Sequence, residues 1–154
     1  MSITYLDTSA LLKRYVAETG SEWVRGLLTS SGASTAFTSH LTVVEATCAF
    51  ARRRREGFLS AKDHVEILLA LDYDVAHWYN VLEVTRNVVD TARTFANEHP
   101  LRAYDAVHLA TAWLANKQLV QGSQSPLTFI CADDRLLTTA EAVGLLTDNP
   151  NRHP

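Results

Sequence analysis

Short apolar runs of strand length alternate along this chain with longer stretches of helical periodicity. That alternation calls for a mainly parallel sheet covered by helices on both faces. Ile3, Tyr5 and Leu6 make the first run, ending at Asp7, and Thr35 to Thr38, Val81 to Val84 and Leu127 to Ala132 are the others. Helices are expected over Ser9 to Val16, Ser21 to Leu28 and Leu41 to Arg55, the last stopping near Gly57. Ser60 and Asp63 form a capping-box pattern that opens the next helix. Its inward face is read as Val65, Leu68 and Leu69, and it continues, bent or broken, toward Tyr79. Thr85 caps a helix with Val88, Val89, Ala92, Phe95 and Ala96 at helical spacing, closed by Pro100. Further helices cover Ala103 to Leu119 and begin at Asp133. The expected class is α/β, with a central sheet of four or five strands.

The chain has 154 residues and 47% hydrophobic content, with no shift in composition along its length. One domain over residues 1–148 accounts for it, with Asn149 to Pro154 as a frayed tail. A formal net charge of −3 excludes a uniformly basic binder of polyanions but leaves room for a local basic patch. Cys48 and Cys131 lie in apolar stretches without CxxC spacing, which excludes a zinc motif and points to buried, reduced thiols. No basic segment followed by a long apolar run opens the chain, and the apolar patch around Ile67 to Leu71 is too short to span a bilayer. A cytoplasmic protein with no membrane partner is expected.

Four acids are hard to place within this pattern. Asp7 and Asp133 follow predicted parallel strands at the edge where open α/β sheets hold ligands. Asp105 lies in the first turn of its helix with apolar Leu109 and Ala112 beyond it, and Glu45 lies among Leu41, Val44, Cys48 and Ala49. Each has a structural alternative: a helix cap for Asp7, the helix macrodipole for Asp105, a buried salt bridge for Glu45. Asp134 competes with Asp133, but the residue nearer the strand is the one expected to point into the crevice. Together, carboxylates in an apolar setting repel one another unless a cation joins them, and oxygen-only ligands favour Mg²⁺ or Mn²⁺.

Four segments carrying these acids resemble the PIN-domain ribonucleases, specifically the VapC-like toxins of toxin–antitoxin pairs. They are Tyr5-Leu6-Asp7-Thr8-Ser9-Ala10-Leu11, Val44-Glu45-Ala46, Arg102-Ala103-Tyr104-Asp105-Ala106-Val107-His108-Leu109-Ala110-Thr111-Ala112 and Cys131-Ala132-Asp133-Asp134-Arg135-Leu136. The resemblance implies a PIN-like three-layer sandwich and a catalytic, metal-binding quartet of Asp7, Glu45, Asp105 and Asp133 holding Mg²⁺, with Mn²⁺ as a substitute. It implies Ser9 as a hydroxyl near the metal, in a supporting or substrate-contact role. It also implies a homodimer, an antitoxin that blocks the cleft, and an RNA substrate cut by hydrolysis.

The quartet suits that chemistry, because a hard cation supplies a nucleophilic water and neutralises phosphate charge, and a carboxylate off the metal can orient the water. Arg52, Arg53, Arg54 and Arg55 end the helix that carries Glu45. Successive helical residues turn by about 100°, so at least one of them faces the cleft. They are read either as a solvated last turn favoured by the macrodipole or as contacts to RNA phosphates or an acidic antitoxin segment. His108 is read as a packing or supporting residue, and Trp23, Trp78 and Trp113 as core or dimer contacts. The alternatives are a non-catalytic interaction module on the same fold and a metal-dependent phosphohydrolase or nuclease with another substrate. A dehalogenase-like phosphatase needs a second Asp where this chain has Ser9.

Overall fold

The computed structural model describes residues 2–29 and 34–154. In chain order the elements are β1 (Ser2–Leu6), α1 (Thr8–Tyr15), α2 (Ser21–Thr29), β2 (Ser34–Ser39), α3 (His40–Arg55), α4 (Ala61–His77), β3 (Tyr79–Leu82), α5 (Arg86–Glu98), α6 (Ala103–Gln121), β4 (Thr128–Ile130), α7 (Asp134–Ala142) and β5 (Leu146–Asp148), followed by a 3₁₀ turn at Pro150–Arg152. The strands form one sheet in the order β3-β2-β1-β4-β5, and every pairing is parallel. The chain therefore starts at the centre, winds outward through β2 and β3, and returns to β4 on the other side of β1. That reversal is the topological switch point, beyond the C-terminal ends of β1 and β4.

Alternation along the strands separates two apolar layers. Ile3, Tyr5 and Phe129 face a core completed by Val88, Ala92 and Phe95 of α5, Leu109 of α6, and Leu136 and Leu137 of α7. Leu6, Ala36 and Ile130 face the opposite core, closed by Leu11 of α1, Phe50 of α3 and Leu71 of α4. Tyr5 pairs in register with both Phe37 and Phe129, and the Tyr5 and Phe129 rings stack with centroids 5.6 Å apart. The result is three layers, with α1 to α4 on one face of the sheet and α5 to α7 on the other.

Four expectations need correction. The inward face of α4 is Ile67, Leu68, Leu71, Asp74 and Val75, whereas Val65 and Leu69 are exposed. The stripe includes a charged residue, which apolar counting passes over. Asp74 is buried because Arg14 Nε donates to it at 2.6 Å, as does the Tyr15 hydroxyl at 2.6 Å. Strand β3 begins at Tyr79, two residues before the expected start, because Tyr79 pairs with Ala36 and its hydroxyl joins Tyr15 at 2.9 Å in the same network. Cys48 is exposed, since α3 buries Thr42, Ala46 and Phe50 instead.

The C-terminal segment is the fourth correction. Residues 146–148 add β5 beside β4, and the residues after it are packed in place, where a frayed tail was expected. Asn149 and Pro150 are buried, the His153 ring stacks on Trp23 with centroids 4.2 Å apart, and Asn149 Nδ2 donates to Asp134 at 2.8 Å. Gly20 makes this closure possible. Its φ is +82°, and a Cβ there would stand 2.3 Å from the Pro150 carbonyl oxygen. Gly20→Ala is expected to destabilise by on the order of 2 kcal/mol, combining left-handed backbone strain with that overlap. Thermal melting should register a drop of several degrees, and an unchanged midpoint would mean that the C-terminal segment is not held there.

Candidate active site

Beyond the switch point lies a cavity of about 610 Å³ whose lining includes Asp7, Glu45, Asp105 and Asp133. Each acid arrives on a different element. Asp7 leaves β1 and caps α1, Glu45 sits in α3, Asp105 in the first turn of α6, and Asp133 follows β4 and caps α7. The capping readings of Asp7 and of the macrodipole position at Asp105 therefore hold alongside the shared cavity. A helix N-terminus tolerates a carboxylate, and three of them open on one crevice.

Asp7 is buried, and its bonds account for both carboxylate oxygens. Oδ1 accepts from the Ser9 hydroxyl at 2.7 Å and from the Ala10 N–H at 3.1 Å, while Oδ2 accepts from the Cys131 thiol at 3.2 Å. Burial raises its pKa, and the charge interaction with His108 and these hydrogen bonds offset part of that rise. Ser9 also accepts from the Ala132 N–H at 2.9 Å, and the Cys131 sulfur accepts from the Asp133 N–H at 3.2 Å. One small network thus ties the start of α1 to the loop that presents Asp133. Burial, then the charge of Asp7, push the Cys131 thiol far above its ordinary range, so it acts as a neutral donor.

Glu45 is half-buried at the cavity wall. Its Oε1 takes the Thr8 hydroxyl at 2.9 Å and lies 2.6 Å from His108 Nε2. His108 is buried, with Nδ1 2.9 Å from the Tyr5 hydroxyl. Burial, then the charge of Asp7, hold the Tyr5 hydroxyl protonated well above its usual range. Both ring nitrogens of His108 therefore have a side-chain partner, Tyr5 on one side and Glu45 on the other. Burial alone would raise Glu45, but the hydrogen bond and charge of His108, with the Thr8 bond, bring its pKa below the ordinary value. The apolar residues flanking Glu45 on α3, Val44 and Cys48, are exposed and line the cavity, so they are not its core contacts.

Asp105 is shifted the other way. Burial raises its pKa first, and the negative charges of Asp133 and Asp7 raise it further. Asp133 is exposed at the mouth of the cavity, where its side chain accepts from the Arg135 N–H at 2.9 Å. Asp134 turns away, its Oδ1 held by Asn149 at 2.8 Å and Arg152 at 2.9 Å. Among the described residues, no three His, Cys, Asp or Glu side chains stand close enough to hold a metal ion as they are. The donor set is nonetheless all oxygen and anionic at its core, which fits a hard divalent cation in kind.

The arginine run divides. Arg52 and Arg55 line the cavity, Arg53 reaches Glu18 at 3.9 Å, and Arg54 stands 3.5 Å from His64. Sequence reasoning passed over Thr8, Cys131 and the direct link from His108 to Glu45. The signal was present in part, since His108 follows Asp105 by three residues and so shares its helix face. Nothing in the pattern pairs it with Glu45, 63 positions away. Trp78 is exposed, Trp113 packs edge-on against Phe95, and Trp23 carries His153.

An acidic cavity at the switch point of an all-parallel, three-layer sheet defines the class: an open α/β protein whose site is built from carboxylates. Ribonuclease VapC35 of Mycobacterium tuberculosis is 33% identical over 149 residues, spanning 96% of this chain and 97% of the relative. FitAcB from Neisseria gonorrhoeae matches in structure with a TM-score of 0.64 at 18% identity, covering 96% of this chain and 97% of its own. A toxin–antitoxin complex from Klebsiella pneumoniae has a TM-score of 0.63 at 14% identity, covering 96% and 97%. With residues 4–123 matching the PIN domain, the chain belongs to the PIN-domain family, in which its VapC relatives lie.

Because the Asp105 pKa is raised on folding, its charge stabilises nothing at neutral pH. Its contribution is most favourable below the unfolded value and is lost as pH rises through the folded one. Asp105→Asn should therefore melt a few degrees above the parent at neutral pH in chelator. The gain should vanish as pH falls below the ordinary Asp range. Melting curves across pH test it, and a variant less stable than the parent at neutral pH would contradict the repulsion.

Proposed function

We propose that the protein is a Mg²⁺-dependent endoribonuclease, the toxin of a toxin–antitoxin pair, which hydrolyses RNA phosphodiester bonds. The observation that carries this reading is the convergence of Asp7, Glu45, Asp105 and Asp133 on one cavity at the sheet's switch point. The VapC35 relative is named a ribonuclease, and a matched structure is a toxin–antitoxin complex, which supports both halves of the reading. A cognate antitoxin and a homodimer belong to the same reading.

Asp7, Asp105 and Asp133, with Glu45 at the wall, are the residues that would hold the cation, and Mn²⁺ would substitute. When bound, Mg²⁺ lowers the pKa of water and polarises the phosphoryl oxygen. The chain's own residues supply orientation. Ser9 and Cys131 hold Asp7, so its carboxylate does not rotate freely. His108 and Thr8 keep Glu45 ionised and fixed through Oε1, which suits it to orient a water as an anion of set direction. Asp105, with its raised pKa, gains most from neutralisation by a cation.

Purified protein should cut RNA in Mg²⁺, lose that activity in chelator, and regain it with Mn²⁺. Asp7→Asn and Asp105→Asn should each lower the rate by roughly 100-fold or more while the far-ultraviolet spectrum stays that of a folded protein. Undiminished cleavage by both variants would assign the activity to another site or another protein.

A further inference from the structure

We propose that Tyr104, together with Arg102 and Arg135, forms a binding subsite for one nucleotide of a single-stranded RNA, its base stacked on the Tyr104 ring and its phosphate between the two guanidinium groups. The proposal rests on the reading of RNA as substrate and adds where a neighbouring nucleotide sits.

Tyr104 is the second residue of α6, next to Asp105, and its side chain lines the acidic cavity while remaining 40% exposed. It belongs to neither apolar core, so packing does not explain a large ring at this point. Arg102 Nη1 donates to the Tyr104 hydroxyl at 2.6 Å, and the guanidinium carbon stands 5.9 Å from the ring centre. A group that both bonds the phenol oxygen and lies that far from the centroid sits out beyond the hydroxyl. It does not cover the ring face. The ring is thus steadied at its tip, with its faces left for a planar partner.

On the side of Asp105 and Asp133 away from α3 there is a second, small hollow of about 50 Å³, whose lining includes Arg102, Arg135 and the same two acids. The acids therefore stand between two pairs of cations, Arg52 and Arg55 on α3 and Arg102 and Arg135 at the starts of α6 and α7. Among the described residues, none of these four arginines has a carboxylate within 4.0 Å. An isolated anion gains little from cations separated by carboxylates. A strand with regularly spaced phosphates gains at each rim and presents its middle phosphate to the acids. Aromatic faces beside such cations hold unpaired bases in a sequence-tolerant way.

Binding of a fluorescein-labelled, random-sequence single-stranded RNA, followed by anisotropy with Asp7 intact and Ca²⁺ in place of Mg²⁺ to suppress cleavage, tests this apart from turnover. Tyr104→Ala should weaken binding by about 5- to 100-fold, the range for one stacked base, while Tyr104→Phe stays near the parent. Arg102→Ala and Arg135→Ala, which share that phosphate, should each reduce the salt dependence, and together by about one phosphate contact. The subsite is refuted if Tyr104→Ala binds like the parent, or if Tyr104→Phe loses as much as the alanine variant. Failure of the parent itself to bind RNA would overturn the ribonuclease reading along with the subsite, whereas binding by the parent that is indifferent to Tyr104 would remove the subsite alone.

Discussion

Negative charge gathered at the centre of the sheet is the constraint around which this molecule is arranged. Asp7 follows the middle strand and is buried, so its carboxylate has no bulk water to stabilise it. Ser9, Ala10 and Cys131 take the place of that water with three hydrogen bonds, and the N-terminus of α1 adds a favourable dipole. The same atoms reach onward, since Ser9 holds Ala132 and Cys131 holds the Asp133 N–H. The loop after β4 is thereby positioned from the start of α1, and a change at Asp7 must be felt at Asp133. Fold and site are coupled through one side-chain network that no single helix or strand contains.

Within that arrangement two half-buried carboxylates are driven apart in proton affinity. Glu45 is pulled down by His108 and Thr8 against the effect of burial, whereas burial and its acidic neighbours push Asp105 up. Carboxylates separated in this way are suited to different tasks. An anion satisfied by its own protein partners has less to gain from a cation, and one repelled by its neighbours has more. On the proposed reading, the difference would suit Glu45 to orient a water as a fixed anion and the Asp105 side of the cavity to hold the cation.

Much of this was legible in the residues because strand period, helix period and acid placement agreed. Asp7 and Asp133 could be located at the switch point once β1 and β4 were recognised as parallel strands, and Asp133 was separable from Asp134 by its distance from the strand. What escaped were features decided by tertiary pairing. Asp74 is buried by Arg14 and Tyr15, partners about sixty positions away, so an apolar count alone puts Val65 and Leu69 on the inward face of α4, where the structure has Asp74 instead. Strand β5 is three residues long and its own sequence is weakly apolar, so it exists through pairing with β4. The packing of Asn149 to His153 depends on Gly20 and Trp23 at the other end of the chain, which no local pattern reports.

A chain with a formal net charge of −3 has no general attraction for a polyanion, and its acids would repel one at the point where chemistry is to occur. Local distribution resolves the conflict. Screening in water confines each charge to about 10 Å at moderate ionic strength, so a phosphate is governed by its nearest side chains and not by the molecular total. Among the described residues, Arg52, Arg55, Arg102 and Arg135 stand around the acids with no carboxylate within 4.0 Å of any of them. On the proposed reading, attraction at the rims and repulsion at the centre would make binding of a polyanion depend on a cation among the acids. Strand occupancy and cation occupancy would then favour each other by linkage, so that the cation would be needed for binding as well as for cleavage.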